Sequence, residues 1–152
     1  MSWLDEMKRK AQAAGKAIQT GVQKYRNKEY ANAVLGVCAM VAAADGHIDD
    51  SEIGTTIAFI QQHKDLQVFD AAYIEKQFQH YADELKRGQF GKAAVVQDIL
   101  AVKKDAGQAA SVIMVACEIG ASDGNFDENE KKVCSQLCKQ LGLDPTSFDL
   151  PA

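Results

Sequence analysis

The sequence lacks the features of membrane-spanning, exported and disulfide-bonded proteins. Its 152 residues contain no run of about 18 apolar residues, which a membrane-spanning helix needs. The N-terminus has no apolar signal-peptide core, so we expect a cytoplasmic protein. Proline occurs only twice, and most of the eleven glycines fall between periodic segments. This composition favours helices over a sheet.

The cysteines do not form a recognisable metal or redox motif. None of the four stands in a C-x-x-C pair, and cytoplasmic thiols stay reduced, which argues against a disulfide framework. Two of them share a predicted helical face with two leucines. We therefore interpret all four as small, buried apolar side chains. They are Cys38, Cys117, Cys134 and Cys138.

Charge is divided unevenly along the chain. Residues 1–28 carry seven basic and two acidic side chains, a net charge of +5, which leaves −9 on the remaining residues. Because an acidic body repels phosphate, we expect no nucleic-acid partner. An apolar stripe from Trp3 to Val22 predicts a basic amphipathic helix over residues 1–28. This helix either contacts a membrane surface or a partner, or packs back on its own domain.

Apolar periodicity predicts an all-α fold of about seven helices, with residues 29–152 in one compact domain. No segment shows the period-two alternation of a strand. After the N-terminal helix we expect helices over about 28–44 and 49–63, one from Asp70 to near Gly88, one around 95–102, one after Gly107, and one from Asp127 to Gly142, followed by an irregular tail from Asp144 to Ala152.

The most informative feature is an internal repeat with an offset of 78 residues. When residues 31–64 are aligned with residues 109–142, two acidic loops coincide. They read D-G-H-I-D-D-S-E over 45–52 and D-G-N-F-D-E-N-E over 123–130. Each loop is preceded and followed by an apolar helical pattern. The sequence therefore predicts a helix–acidic loop–helix unit that is used twice.

The two loops concentrate eight of the chain's 21 carboxylates in sixteen residues. Such crowded negative charge is relieved by a bound cation. Ligands that are all oxygen suit Ca²⁺ best, with Mg²⁺ or another divalent cation as the alternative. The predicted ligands are Asp45, Asp49 and Glu52 for one ion, and Asp123, Asp127 and Glu130 for a second. Ile48 and Phe126 are expected to anchor the loops on the core.

The same residues also have a structural explanation without metal. A D-x-x-E sequence at the start of a helix is a capping box, in which the carboxylates accept from backbone N–H groups. Capping does not explain why both loops add a first aspartate and a further acid. The loops are not EF-hands, because their glycine comes second instead of sixth. The alternative function is a protein-interaction module whose acidic loops are caps and a partner surface.

With these two loops set 78 residues apart among helices, the chain resembles the TerB family of tellurite-resistance proteins over essentially its whole length. The resemblance implies a cytoplasmic, all-helical protein in a metal-linked stress response, peripheral to the inner membrane, and we expect it to be non-enzymatic. It also implies a TerC-like membrane protein and TerD-like calcium-binding proteins as partners. The family's acidic metal-site residues correspond to Asp45, Asp49 and Glu52, and to Asp123, Asp127 and Glu130.

An enzyme that reduces tellurite with its thiols is a third class of function. The sequence does not favour it, because no cysteine stands beside a histidine or at a predicted helix N-terminus, where its pKa would be lowered. We therefore predict no catalytic residue.

Overall fold

The chain folds into helices, as its periodicity predicts. The computed structural model describes residues 27–44, 50–63, 66–122 and 126–152. Across these ranges it contains six α-helices, one 3-10 helix and no strand. They are α1 (Lys28–Ala42), α2 (Asp50–Gln62), α3 (Ala71–Leu85), α4 (Gln89–Leu100), α5 (Ala106–Gly120), α6 (Glu128–Gln140) and the 3-10 helix Pro145–Phe148. The all-α prediction is confirmed. The predicted helix over residues 1–28 lies outside the described residues.

The internal repeat reappears in the helix boundaries. Adding 78 to the limits of α1 gives the limits of α5, and the same shift converts α2 into α6. The caps repeat as well, since the side chains of Asn27 and Asp105 each accept from the backbone N–H three residues further on, at 2.8 and 3.1 Å. Two copies of one helix–loop–helix unit therefore form the framework of the fold.

The first helices of the two units, α1 and α5, pack side by side and run in the same direction. Near their beginnings, Asn27 Nδ2 donates to Gln108 Oε1 at 3.1 Å. Near their ends, Gly120 faces Val41, whose Cγ1 lies 3.6 Å from the position that a Cβ would take. Because the two helices are parallel, both acidic loops follow at the same end of the molecule, which we call the loop end.

Both central helices are buried on nearly all sides. Eleven of the fifteen residues of α1 are buried, and so are eleven of fifteen in α5. The sequence predicts only one inward stripe on α1. Its other faces consist largely of alanine, glycine and leucine, which let α3, α4, α5 and α6 approach. At Gly36 the approach is close, because a Cβ there would lie 2.8 Å from Ile99 Cγ1.

Two expectations from the sequence are wrong. Gly107 does not separate two helices but lies in the first turn of α5, because Asp105 caps the helix before it. The tail is not irregular throughout, since it forms the 3-10 helix and buries Phe148 and Leu150. The Ser135 hydroxyl of α6 also donates to the carbonyl of Pro151. The tail is thus part of the core.

Candidate metal site at the loop end

A cavity of about 330 Å³ opens at the loop end. Its floor is formed by the last turns of α1 and α5, with Val41 and Ile119 among the lining residues. One wall is the face of α2 that carries Ser51, Thr55 and Phe59, which are spaced four apart and so point the same way. The opposite wall is the start of α6. The cavity therefore lies between the two repeat units.

All three predicted site residues within the described ranges line this cavity. Glu52 reaches it from the first turn of α2, and Asp127 and Glu130 reach it from the start of α6. The sequence assigns these acids to two separate ions, whereas the structure places them around one cavity. The other three predicted ligands lie outside the described residues. They are Asp45, Asp49 and Asp123.

The described residues alone do not complete a metal site. Within them, no group of three or more aspartate, glutamate, histidine or cysteine side chains is arranged to hold an ion. Apart from the buried thiol of Cys38, the polar side chains that line the cavity nevertheless all carry oxygen. Besides the three carboxylates, the lining contains the hydroxyls of Ser51, Thr55 and Thr56. Oxygen donors of this kind fit a hard cation and not a soft one.

Asp127 and Glu130 form the capping box that the sequence suggests. Asp127 Oδ1 accepts from the Glu130 backbone N–H at 2.8 Å, and Glu130 Oε1 accepts from the Asp127 N–H at 3.1 Å. These bonds use one oxygen of each carboxylate. Because an ionised carboxylate has two oxygens and about four lone-pair sites, the same side chains can cap a helix and still bind a cation.

Two further acids of the loops are paired with lysines. The Asp50 carboxylate is 97% exposed and lies 3.7 Å from Lys86 Nζ, and Glu128 lies 3.7 Å from Lys131 Nζ. Neither acid lines the cavity. Exposed pairs of this kind contribute little to stability, but they reduce the local excess of negative charge. Part of the crowding that the sequence attributes to a cation is therefore relieved by these lysines.

Phe126 anchors the second loop on the core, as predicted. Its ring is partly buried against the core and covers Gly120, where a Cβ would lie 2.5 Å from Phe126 Cε2. The missing side chain of Gly120 thus makes room for the ring. The corresponding prediction for Ile48 lies outside the described residues.

One polar contact near the cavity is not evident from the sequence. His63 Nε2 lies 2.8 Å from Glu118 Oε2, and the two side chains are only 12% and 18% exposed. This pair ties the end of α2 to the last turn of α5. It holds one wall of the cavity against the floor. The two residues are 55 positions apart in the sequence, so no local sequence pattern could predict that they pair.

The four cysteines are free, buried and close to one another, which confirms their interpretation as core side chains. The side chain of Cys38 forms part of the cavity floor. Its pKa is raised mainly by burial and, to a smaller extent, by the neighbouring Cys134. A hydrogen bond with Cys134, and then burial, raises the pKa of Cys117. Burial raises the pKa of Cys138 to about 12. Thiols that stay protonated are weak nucleophiles and weak metal ligands.

Comparison with known proteins identifies the family. The family model described as "Tellurite resistance protein TerB" matches residues 31–151. This chain belongs to the TerB family. The match begins in the first turn of α1 and includes the tail, so it spans both units and the cavity. A curated relative from Alcaligenes sp, named "Tellurium resistance protein TerB", is 27% identical over 104 residues, which is 68% of this chain and 85% of the relative.

No solved structure matches the chain significantly. Membership of the TerB family indicates a role in tellurite resistance, as the resemblance implied. Among the described helices, none has both the length and the apolar character needed to cross a membrane.

Proposed function

We propose that this TerB-family chain is a non-enzymatic tellurite-resistance protein that binds a divalent cation at its loop end. Calcium is the first candidate, and Mg²⁺ or another divalent cation is the alternative. The observation that carries the proposal is the meeting of Glu52, Asp127 and Glu130 around one cavity with oxygen donors. Asp45, Asp49 and Asp123 are proposed to complete the ligand set.

The bound cation is proposed to fix the position of one repeat unit relative to the other. Its ligands come from loops that join α1 to α2 and α5 to α6, so occupancy would hold both units in one arrangement. The thiols of Cys38 and Cys138 support a role without catalysis, because burial raises their pKa and keeps them protonated. The protein would therefore respond to a cation and pass the response to partners.

The decisive experiment separates capping from cation binding. Asn replaces Asp as an N-cap without loss, and Gln replaces Glu in a capping box. Asp127→Asn with Glu130→Gln should therefore leave the melting temperature of the metal-free protein unchanged. Calorimetry should show Ca²⁺ affinity reduced by about tenfold or more, because two charged ligands are lost.

Glu128→Gln is the matched control. It removes a charge from the same helical turn, but Glu128 faces Lys131 and does not line the cavity, so Ca²⁺ affinity should stay at the native level. The proposal is wrong if the double variant binds Ca²⁺ as tightly as the native chain. It is also wrong if calorimetry detects no binding of Ca²⁺, Mg²⁺, Mn²⁺ or Zn²⁺ at millimolar concentrations.

The second candidate function is an interaction module without metal. The capping box and the pairing of Asp50 and Glu128 with lysines favour it, because they give these acids structural roles. In that case Asp45→Asn and Asp123→Asn would leave stability the same with and without added metal. Both variants would instead weaken capture of a basic partner.

Partners are proposed to bind at or beside the loop end. Phe90 is 87% exposed, whereas almost every other large apolar side chain of the described structure is at least partly buried. It lies at the start of α4, which runs antiparallel to α1, since Ile99 packs at Gly36 and Lys104 pairs with Glu29 at 3.2 Å. That direction carries Phe90 towards the loop end. Exposed aromatic side chains often dominate binding energy at interfaces.

The proposed partners are a TerC-like membrane protein and TerD-like proteins, with the chain peripheral to the inner membrane. Phe90→Ser removes an aromatic anchor that makes few contacts within the chain. We expect it to weaken capture of the purified partners while Ca²⁺ affinity stays native. Undiminished capture by the variant would exclude Phe90 from the interface.

A further inference from the structure

Helix α2 differs from the other helices of the two repeat units in how little of it is buried. Two of its thirteen residues, Ile53 and Ile60, are buried, compared with four of thirteen in its counterpart α6 and eleven of fifteen in each of α1 and α5. Elements with few buried apolar contacts open first. We propose that α2 is a lid, which opens as one unit while the other helices stay folded, and that the cation of the loop end closes it.

The cavity at the loop end explains why so little of α2 is buried. The face of α2 that carries Ser51, Thr55 and Thr56 borders the cavity of about 330 Å³ instead of packing on the ends of α1 and α5. By the 78-residue offset, Thr56 corresponds to Cys134, which is fully buried in α6. Atoms that border open space have no contacts on that side, so less attraction holds the helix in place.

The C-terminal tail fastens α6 to the core. The Ser135 hydroxyl in the middle of α6 donates to the carbonyl of Pro151, and the tail residues Phe148 and Leu150 are buried. Helix α2 packs chiefly against α3. The start of α6 is therefore the fixed wall of the cavity, and α2 is the wall that can move.

Polar contacts hold the two ends of α2 unequally. At its start, Asp50 lies 3.7 Å from Lys86, but the Asp50 carboxylate is almost fully exposed, so this pair contributes little. Directly after its end, His63 Nε2 lies 2.8 Å from Glu118 Oε2, and both of these side chains are largely buried. Removal of the contact between His63 and Glu118 should therefore loosen the lid more than removal of the other pair.

The cation would join the lid to the fixed wall. Glu52 lies in the first turn of α2, whereas Asp127 and Glu130 lie at the start of α6, and all three line the cavity. An ion that binds carboxylates from both helices is bound in the closed arrangement and released on opening. Without the ion, like charges around one cavity repel and favour opening. This regulation rests on the proposed function, whereas the thin burial of α2 does not.

Cys38 reports the opening. Its side chain lines the cavity and is 3% exposed, whereas Cys117, Cys134 and Cys138 are fully buried and do not line it. Opening of α2 exposes Cys38 and leaves the other three thiols between α5, α6 and the tail. Alkylation of the full chain by iodoacetamide, with mass mapping of the peptides, follows each thiol. Without metal, Cys38 should be alkylated at least about tenfold faster than Cys138.

Two variants separate opening of the lid from unfolding of the whole chain. His63→Ala removes a contact that opening breaks, so it should accelerate alkylation of Cys38 by about tenfold. The matched control is Leu150→Ala, which weakens a tail contact that the open state keeps. It should accelerate alkylation of Cys138 and leave that of Cys38 unchanged. Should Leu150→Ala not fold, Ser135→Ala takes its place, because it removes the hydrogen bond to the tail.

Two results would overturn the lid. Equal acceleration of Cys38 and Cys138 by the tail variant would mean that Cys38 reacts only after the whole chain unfolds. Fast alkylation of Cys38 that His63→Ala leaves unchanged, and that a bulky maleimide cannot reproduce, would mean that the small reagent enters the closed cavity.

Calcium tests the regulation. Ca²⁺ at about ten times its dissociation constant should slow alkylation of Cys38 by about tenfold. Glu52→Gln removes the ligand on the lid and should abolish most of this slowing, whereas Glu128→Gln, outside the cavity, should preserve it. If calorimetry registers bound Ca²⁺ and Cys38 reacts at an unchanged rate, the cation does not close α2. If calorimetry registers no binding of any divalent cation, the proposed function fails, and alkylation without metal still decides whether α2 opens.

Discussion

At the scale of single residues, the second acidic loop depends on a glycine in the helix before it. Gly120 leaves the space into which Phe126 packs, and the equivalent pair in the first unit by the 78-residue offset is Ala42 with Ile48. In the sequence, the unit with the larger apolar loop residue thus has the smaller residue at the matching helix position.

Gly120→Ala should therefore destabilise the protein. Because the new methyl group would meet the Phe126 ring, the ring must move, and overpacking of this kind costs about 1–3 kcal/mol. Urea unfolding measures the loss, and calcium titration should show weaker binding, since Asp127 follows directly after the displaced ring.

Gly54→Ala is the control for that change. Gly54 also lies within a helix, α2, but nothing occupies the space around its added Cβ. Alanine there should stabilise by about 0.5–1 kcal/mol through its helix propensity. Equal effects of the two substitutions would show that the Phe126 contact does not matter.

At the scale of elements, the pair of His63 and Glu118 is expected to fix α2 against α5. His63→Ala removes one partner of a short, largely buried contact and leaves the Glu118 carboxylate poorly solvated, which costs about 1–3 kcal/mol. Thermal or urea unfolding measures this loss. His80→Ala on α3 is the control, because His80 is exposed, and stability should change by less than about 0.5 kcal/mol.

Helix positions could be predicted from the sequence because apolar spacing and capping residues are local signals. Asp70, Asp105 and Asp127 each accept backbone N–H bonds at a helix start, although the sequence identifies only the first and third. The 78-residue offset predicted that two helix pairs would match, and their boundaries do.

Contacts between distant segments could not be predicted in this way. An apolar stripe in the sequence indicates one buried face of a helix. It does not indicate that α1 and α5 are central and covered on nearly every side. The parallel packing that gathers Glu52, Asp127 and Glu130 is equally non-local. For that reason the sequence predicts the acidic residues of the site, but not that those from both units border one cavity.

At the scale of the whole molecule, duplication and parallel packing act together. An antiparallel arrangement of α1 and α5 would place the acidic loops at opposite ends, whereas the observed one collects them with Phe90 towards one end. The opposite end carries the caps Asn27 and Asp105 and the pair of Glu29 with Lys104. The acidic cavity and the exposed ring of Phe90 thus lie towards one end of the molecule, and the core that contains the four thiols lies behind the cavity.

Because the core contains buried thiols, we expect the protein to lose stability at alkaline pH. The pKa of Cys138 is raised from 9.0 to about 12 by burial, and burial also raises the pKa of Cys38. The folded state thus keeps protons that the unfolded chain releases above about pH 9. The stabilising contribution of Cys138 is complete below that pH and is lost as pH rises from about 9 to about 12.

Urea unfolding of the native chain and of Cys138→Ala, at pH 7.5 and at pH 10, measures this contribution. The variant starts less stable, because a buried side chain is shortened. Its free energy of unfolding should nevertheless fall less between the two pH values, by roughly 1–2 kcal/mol, since one titrating thiol is gone. All other side chains are the same in both proteins, so their contributions cancel in the comparison. An equal decline in both would mean that Cys138 ionises in the folded protein as readily as in the unfolded chain, and hence that the core behind the cavity is open to water.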